Sequence, residues 1–295
     1  MSIRWLLPVL LLLLASCSRT GIVYNNADWF MYRWADGLLD ARPAQRERWQ
    51  ALFEQALSEH RRELLPQVVV LLDRASRDVG DGLSHAGLEC LLHSGRDLLR
   101  AHGQLAINPA LAVLSSVDAD QREHLRQQLR ERDAEYREDY LPEDPVERES
   151  KRVERYLERI ERWTGELTTA QTRLVEKVVG TMPDIAADWL EYRQAQQARL
   201  VALLDADDRE ALRAFLHAWW VEQRDRDSRL VAGVDRITTA TIDLLVALDG
   251  TLDSSQRTHL LAEIGDLRDG LAKVGGEPVR LALQSAGEGD CNRIL

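Results

Sequence analysis

From Asp28 onward, charged residues are interleaved with Leu, Val, Ala and Trp at spacings of three and four. That period matches the 3.6-residue turn of an amphipathic helix, whereas a half-buried strand needs strict alternation. No alternating run of β-branched residues bounded by turns interrupts the pattern, so the chain is predicted to be all-α, an elongated multi-helix bundle. Helix starts sharpen this reading. Four segments share an apolar residue, then Asp or Thr, then Gln or Asp three positions on: Val117-Asp118 to Gln121, Leu167-Thr168 to Gln171, Leu204-Asp205 to Asp208, and Leu252-Asp253 to Gln256. The Asp or Thr oxygen can accept from an early backbone N–H, and Gln three positions later can reach back to the cap's own N–H. A fifth start, Arg42-Pro43-Ala44-Gln45, places Pro in the first turn, where its missing N–H costs nothing.

Breaks follow from Pro and Gly. Pro66 is expected to kink or end the helix begun near Pro43, Gly80 to Gly82 reads as a turn, and Asn108-Pro109 as the start of another segment. Leu141-Pro142-Glu143-Asp144-Pro145 is the strongest internal boundary. It separates an N-terminal half (27–141) from a C-terminal half (142–275), followed by a loosely held Gly-rich tail (276–295). Each half has a Trp ahead of a Gln-marked start and a Pro after it, but the spacings differ, and no repeat is inferred from them.

The N-terminus carries a different signal. A basic end (Arg4) precedes an apolar run from Leu6 to Ala15, and Leu14-Ala15-Ser16-Cys17 is followed at once by polar Ser18, Arg19 and Thr20. The run falls short of the about 20 residues a spanning helix needs and reads as a secretory signal. The four residues ending at Cys17 resemble a bacterial lipobox. That resemblance implies cleavage after Ser16 (signal peptide 1–16), acylation of Cys17, and a lipidated tether over 17–26. Ser rather than Asp at position 18 implies, by the same resemblance, the periplasmic face of the outer membrane. Loss of Arg4 with the signal would take the net charge from −11 to −12, which argues against nucleic acid or an anionic lipid surface as the main partner. In that oxidising compartment Cys90 and Cys291 form a candidate disulfide.

The segment Tyr24-Asn25-Asn26-Ala27-Asp28-Trp29, with Trp34, Asp36, Gln45, Trp49, His60-Arg61 and Glu63 to Pro66, resembles a family of Gram-negative lipoproteins of unknown function. The resemblance extends over most of the chain after Cys17 and implies an all-helical, lipid-anchored protein without an assigned activity. Leu167-Thr168-Thr169-Ala170-Gln171 also resembles the Leu-Thr-x-x-Gln motif of Spy-like periplasmic chaperones. Those chaperones are smaller and basic, unlike this chain.

Chemistry-bearing residues are few. His85, Glu89 and His93 share a helix face, but i to i+8 covers about 12 Å along the axis, too far for one ion. No metal or cofactor is predicted, and no catalytic residue is assigned. Gly-rich phosphate loops, a Gly-x-Ser-x-Gly elbow and His-Glu-x-x-His do not occur in the sequence. Trp29 and Trp34 are expected to be buried against the helix beginning near Pro43, with rings lying at headgroup level in a membrane as the alternative, and His60 is expected to bond a carboxylate such as Asp28 or Asp36. Neighbouring rings on a helix diverge by about 100°, so one of Trp219 and Trp220 is a candidate partner contact. The sequence points to a non-enzymatic scaffold, adaptor or chaperone-like binder, held at the membrane by Cys17 and taking an envelope protein or an unfolded client. A cell-wall-acting enzyme and a metal-binding envelope protein are the alternatives.

Overall fold

Capping residues, prolines and glycines divide the chain into thirteen helices in the computed structural model, which describes residues 19–285; no strand occurs among the described residues. The first five are α1 (Arg19–Asn25), α2 (Ala27–Leu39), α3 (Pro43–Glu63), α4 (Leu65–Asp81) and α5 (His85–Leu114). They are followed by α6 (Ala119–Tyr140), α7 (Pro145–Thr164), α8 (Thr169–Thr181) and α9 (Ala186–Asp205). The last four are α10 (Arg209–Trp220), α11 (Ser228–Asp249), α12 (Ser254–Gly275) and α13 (Glu277–Ser285).

Asp118, Thr168 and Asp253 cap α6, α8 and α12, each side chain accepting from the N–H of the glutamine three residues on. At the fourth predicted start the cap is Asp208 rather than Asp205, which closes α9. Pro66 falls in the first turn of α4, just past the break at Leu64.

Three expectations are corrected. Pro109 begins no new segment but lies inside α5. An internal proline costs about 3 kcal/mol, and burial of Ile107, Leu111 and Val113 across that turn outweighs it. Residues 19–25 form a helix, not a tether. Residues 277–285, expected to be loose, also form a helix, with Val279 buried between Leu65 and Val69 of α4.

Three apolar clusters hold the helices. The largest joins Trp49 of α3, Leu111 of α5, Leu125 of α6 and Leu204 of α9 to Phe215 and Leu216 of α10. It crosses the 141–145 boundary, so packing does not keep the two sequence halves apart. A second unites Val175 and Val179 of α8 with Leu244 and Leu248 of α11, beneath the apolar stripe of α7. The third is the α4–α12–α13 cluster around Leu65 and Val69.

The cap glutamines do more than cap. Nε2 of Gln45 donates to Oε1 of Gln121 at 2.9 Å, and Nε2 of Gln121 donates back to Oε1 of Gln45 at 2.8 Å. The remaining valences are filled too. Gln45 Oε1 accepts from the Arg42 N–H and Gln121 Oε1 from the Asp118 N–H. Gln45 Nε2 also donates to the Ser116 carbonyl, and Gln121 Nε2 to those of Leu39 and Asp40. Asp40 sits in the left-handed region (φ 50°), turning the chain sharply at the end of α2.

Gln171 and Gln256 repeat the arrangement. They exchange two bonds of 2.9 Å, their oxygens accept from the Thr168 and Asp253 N–H groups, and their nitrogens donate to the carbonyls of Thr251 and Glu166. Asp40 and Glu166 each lie five residues before the first glutamine of a pair, and Ser116 and Thr251 five before the second. Ser116 Oγ and Thr251 Oγ1 each donate to the carbonyl three residues back, Val113 and Leu248. The two pairs are structural equivalents within one chain.

Gln121 is fully buried, so Gln121→Ala strands a cap N–H, the Leu39 and Asp40 carbonyls and the amide of Gln45 together. The expected loss is about 2–4 kcal/mol. Equilibrium denaturation of Gln45→Ala, Gln121→Ala and the double variant checks it. The double variant is expected to lose less than the sum of the two singles, because each single change leaves the other amide unpaired.

Candidate functional site at the N-terminal helices

The segment from α1 to α2 has two faces of opposite character. Its inner face is fixed to the body. A Cβ on Gly270 of α12 would come within 2.8 Å of Thr20 Cβ, so α1 lies almost backbone to backbone on α12. Tyr32, Ala35, Leu38 and Leu39 of α2 enter the first core. The guanidinium of Arg61 lies 5.5 Å from the Tyr24 ring centroid and donates to Asn25 Oδ1 at 3.0 Å.

Between these contacts runs a chain of polar side chains. Tyr24 Oη and His60 Nδ1 are 2.6 Å apart, His60 Nε2 and His102 Nε2 are 2.9 Å apart, and His102 Nδ1 lies 2.6 Å from the Leu98 carbonyl oxygen. Only one set of neutral tautomers satisfies all three contacts. His102 donates from Nδ1 to the carbonyl, which leaves its Nε2 as acceptor. His60 then donates from Nε2 and accepts from the Tyr24 hydroxyl at Nδ1. Burial, reinforced by the neighbouring His102, lowers the pKa of His60 from 6.5 to about 4. Burial raises that of Tyr24, against the opposing influence of Arg61. The carboxylate partner expected for His60 is thus replaced by a tyrosine on α1 and a histidine on α5. His102 was missed because its spacing from His60 shows no local pattern.

The outer face corrects the expectation for the tryptophans. Trp29 is 51% exposed and Trp34 61%, with Ile22, Val23 and Phe30 between 51% and 60%. Tyr32 and Ala35 occupy the core-facing positions instead. Trp29 and Phe30 meet edge to face at 5.0 Å, and the Arg132 guanidinium lies 5.7 Å from the Trp34 ring centroid.

Elsewhere the candidate residues are dispersed. Trp219 and Trp220 are both half-buried against the first core. Trp219 packs on Phe215 at 5.4 Å, and a Cβ on Gly103 would fall 2.9 Å from the Trp220 carbonyl oxygen. His85 turns to Asp243 at 2.9 Å and His93 to Asp97 at 3.2 Å, away from Glu89. Cys90 is buried on α5 and is not a free thiol; Cys17 and Cys291 lie outside the described residues. Two open depressions, of about 340 Å³ beside Glu54 and Arg62 and about 350 Å³ beside Pro183 and Asp243, are set in helix surfaces.

Asp133 of α6 is buried. It accepts from Arg193 Nε at 3.0 Å, Gln194 Nε2 at 2.9 Å and Gln197 Nε2 at 3.2 Å. Burial pushes its pKa up, but Arg193 and the two amides together outweigh burial and hold it below the usual carboxylate value.

A family model described as a family of unknown function, DUF6279, matches residues 37–222. The chain belongs to the DUF6279 family. The match contains Gln45, Gln121 and Gln171, and it ends before α11 and α12, so the DUF6279 span covers the first glutamine pair and half of the second. It also begins after Trp34, so the exposed aromatic face precedes the DUF6279 match. Comparison with curated proteins and with solved structures gave no match.

Because His60 titrates near 6.5 unfolded and about 4 folded, the unfolded chain binds the extra proton between these values. Its contribution to stability is complete above about pH 6.5 and is lost as pH falls toward about 4. Thermal unfolding across that range is expected to show a shallower fall for His60→Gln than for the parent chain, whose other titrating groups are unchanged. Parallel curves would count against the assignment.

Proposed function

We propose that this protein is a lipid-anchored envelope protein on the periplasmic face of the outer membrane, a non-enzymatic helical scaffold or adaptor with a chaperone-like capacity for binding. The single observation that carries the reading is the junction between the lipobox-like Leu14-Ala15-Ser16-Cys17 and α1. Helix α1 starts at Arg19 and is clamped to α12 through Thr20 and Gly270 and to α3 through Tyr24 and His60. An acyl group on Cys17 would therefore be joined to the folded body with almost no intervening linker. Such an attachment holds the body close to the bilayer and limits its reach, which suits a surface-bound scaffold better than a tethered, roaming one.

Its working parts are helix faces. The glutamine pairs and the buried Asp133–Arg193 pair hold the helices in register, and the exposed side chains between them provide the surface for an envelope partner or an unfolded client. Three acyl chains, as the lipobox resemblance implies, make attachment effectively permanent, since each buried methylene contributes about 0.8 kcal/mol.

Cys17→Ser is expected to abolish metabolic labelling with a radioactive or clickable fatty acid and to block signal removal, seen as a larger product on denaturing gels. Normal processing and labelling of the variant would overturn the anchored reading.

A further inference from the structure

We infer that the outward face of α1 and α2 is a bilayer-binding surface, which lies in the headgroup region of the membrane and docks the body of the protein flat against it. This rests on the anchored reading for which membrane is involved, but not for the binding itself.

Eleven large apolar side chains are exposed among the described residues, and five of them fall between Ile22 and Trp34. They are not scattered along that stretch. Ile22 and Trp29 are seven residues apart, as are Val23 and Phe30, and Trp34 lies four beyond Phe30. Within α2, Trp29 and Phe30 lie one turn before Trp34, and Ile22 and Val23 stand exposed near the end of α1, just across the Asn26 break, so the five side chains follow one another as a stripe along the outer side of the two helices. Isolated exposed apolar residues are ordinary, but a contiguous aromatic stripe marks a contact surface.

Composition and charge choose the occupant. Three of the five side chains are Trp or Phe, whose rings partition to the boundary between headgroups and acyl chains. The polar positions on the stripe are Asn26 and Arg33, the latter 60% exposed, and Arg132 reaches Trp34 from α6. The carboxylates of the segment, Asp28 and Asp36, are half-buried on its flanks, and Asp36 is occupied by the Ala41 N–H and by Arg33. In a chain of net charge −11, Arg33 and Arg132 place two guanidinium groups at this stripe while its own carboxylates are half-buried, which suits lipid phosphates. The chain ahead of it points the same way, because the apolar run Leu6 to Ala15 and Cys17 immediately precede α1. The stripe is thus the part of the folded body nearest in sequence to the membrane-seeking segment.

The test reconstitutes the full chain into vesicles of phosphatidylethanolamine and phosphatidylglycerol carrying brominated acyl chains, and reads tryptophan fluorescence. Trp29 and Trp34 should be quenched, while Trp49, buried in the first core, lies out of reach. The Trp29→Ser, Phe30→Ser, Trp34→Ser variant is expected to lose more than half of the quenching while still sedimenting with the vesicles. A second variant, Ile22→Ser with Val23→Ser, keeps every tryptophan and should weaken the quenching of the two rings, so the outcome does not depend on one set of substitutions folding. Equal quenching in parent and variants overturns the inference. So does a parent chain that sediments with vesicles without quenching, which leaves the anchor intact and removes only the surface. A stripe that instead buries itself in a second copy, seen as a dimer that the triple variant dissolves, also overturns it.

Discussion

Two pairs of glutamines set between helix starts, with Gln121, Gln171 and Gln256 buried and Gln45 half-buried, each pair exchanging two hydrogen bonds, are the constraint on which the arrangement of this chain depends. A primary amide has two donors and an oxygen with two lone pairs, and in these pairs all four valences are used. One donor and one lone pair serve the partner amide. The other lone pair takes the N–H of the residue that begins the glutamine's own helix, and the other donor reaches a backbone carbonyl of the opposing turn. A single side chain therefore caps its own helix and ties it to another, 76 residues away in the first pair and 85 in the second. Replacement by an apolar residue would leave several buried groups without partners, a heavier penalty than the modest net value of any one bond.

The equivalence of the two pairs extends to the turns around them. Asp40 matches Glu166, Ser116 matches Thr251, and the Val113 carbonyl matches that of Leu248. The same device brings α3 to α6 and α8 to α12. Other interactions then fasten the two assemblies together. Asp133 and Arg193 join α6 to α9, and Asp249 accepts from Arg257 and from the Leu83 N–H, linking α11 and α12 to the turn before α5. Buried ion pairs of this kind contribute more to register than to net stability, because desolvation offsets much of their attraction. The first apolar cluster completes the union by drawing side chains from both sides of the Pro142–Pro145 break.

What the sequence made legible was local. Asp118, Thr168 and Asp253 identified themselves as caps because the partner lies three residues away. The pairing of the cap glutamines did not, since nothing local relates Gln45 to Gln121. Pro109 misled because a proline's cost is local, while the burial that overcomes it comes from α3 and α10. Trp29 and Trp34 misled for a related reason. The indoles were expected on the inner face of α2, yet Tyr32, Ala35 and Leu38 occupy it. His60 was recognised as structural, but its partners lie on α1 and α5. The packing of α1 on the body was not legible either, because it depends on how closely Gly270 lets α12 approach Thr20.

The resulting picture is a helical body whose interior is fixed by paired caps, and whose N-terminal helices turn an aromatic face outward. Its central claim is that the four glutamine amides are structural hydrogen-bonding groups and not merely surface caps. Hydrogen exchange of the side-chain amides, followed by NMR on protein labelled at glutamine nitrogen, tests this directly. The account predicts that Gln45, Gln121, Gln171 and Gln256 exchange orders of magnitude more slowly than an exposed glutamine such as Gln104. Exchange of all four at the rate of Gln104 would contradict it.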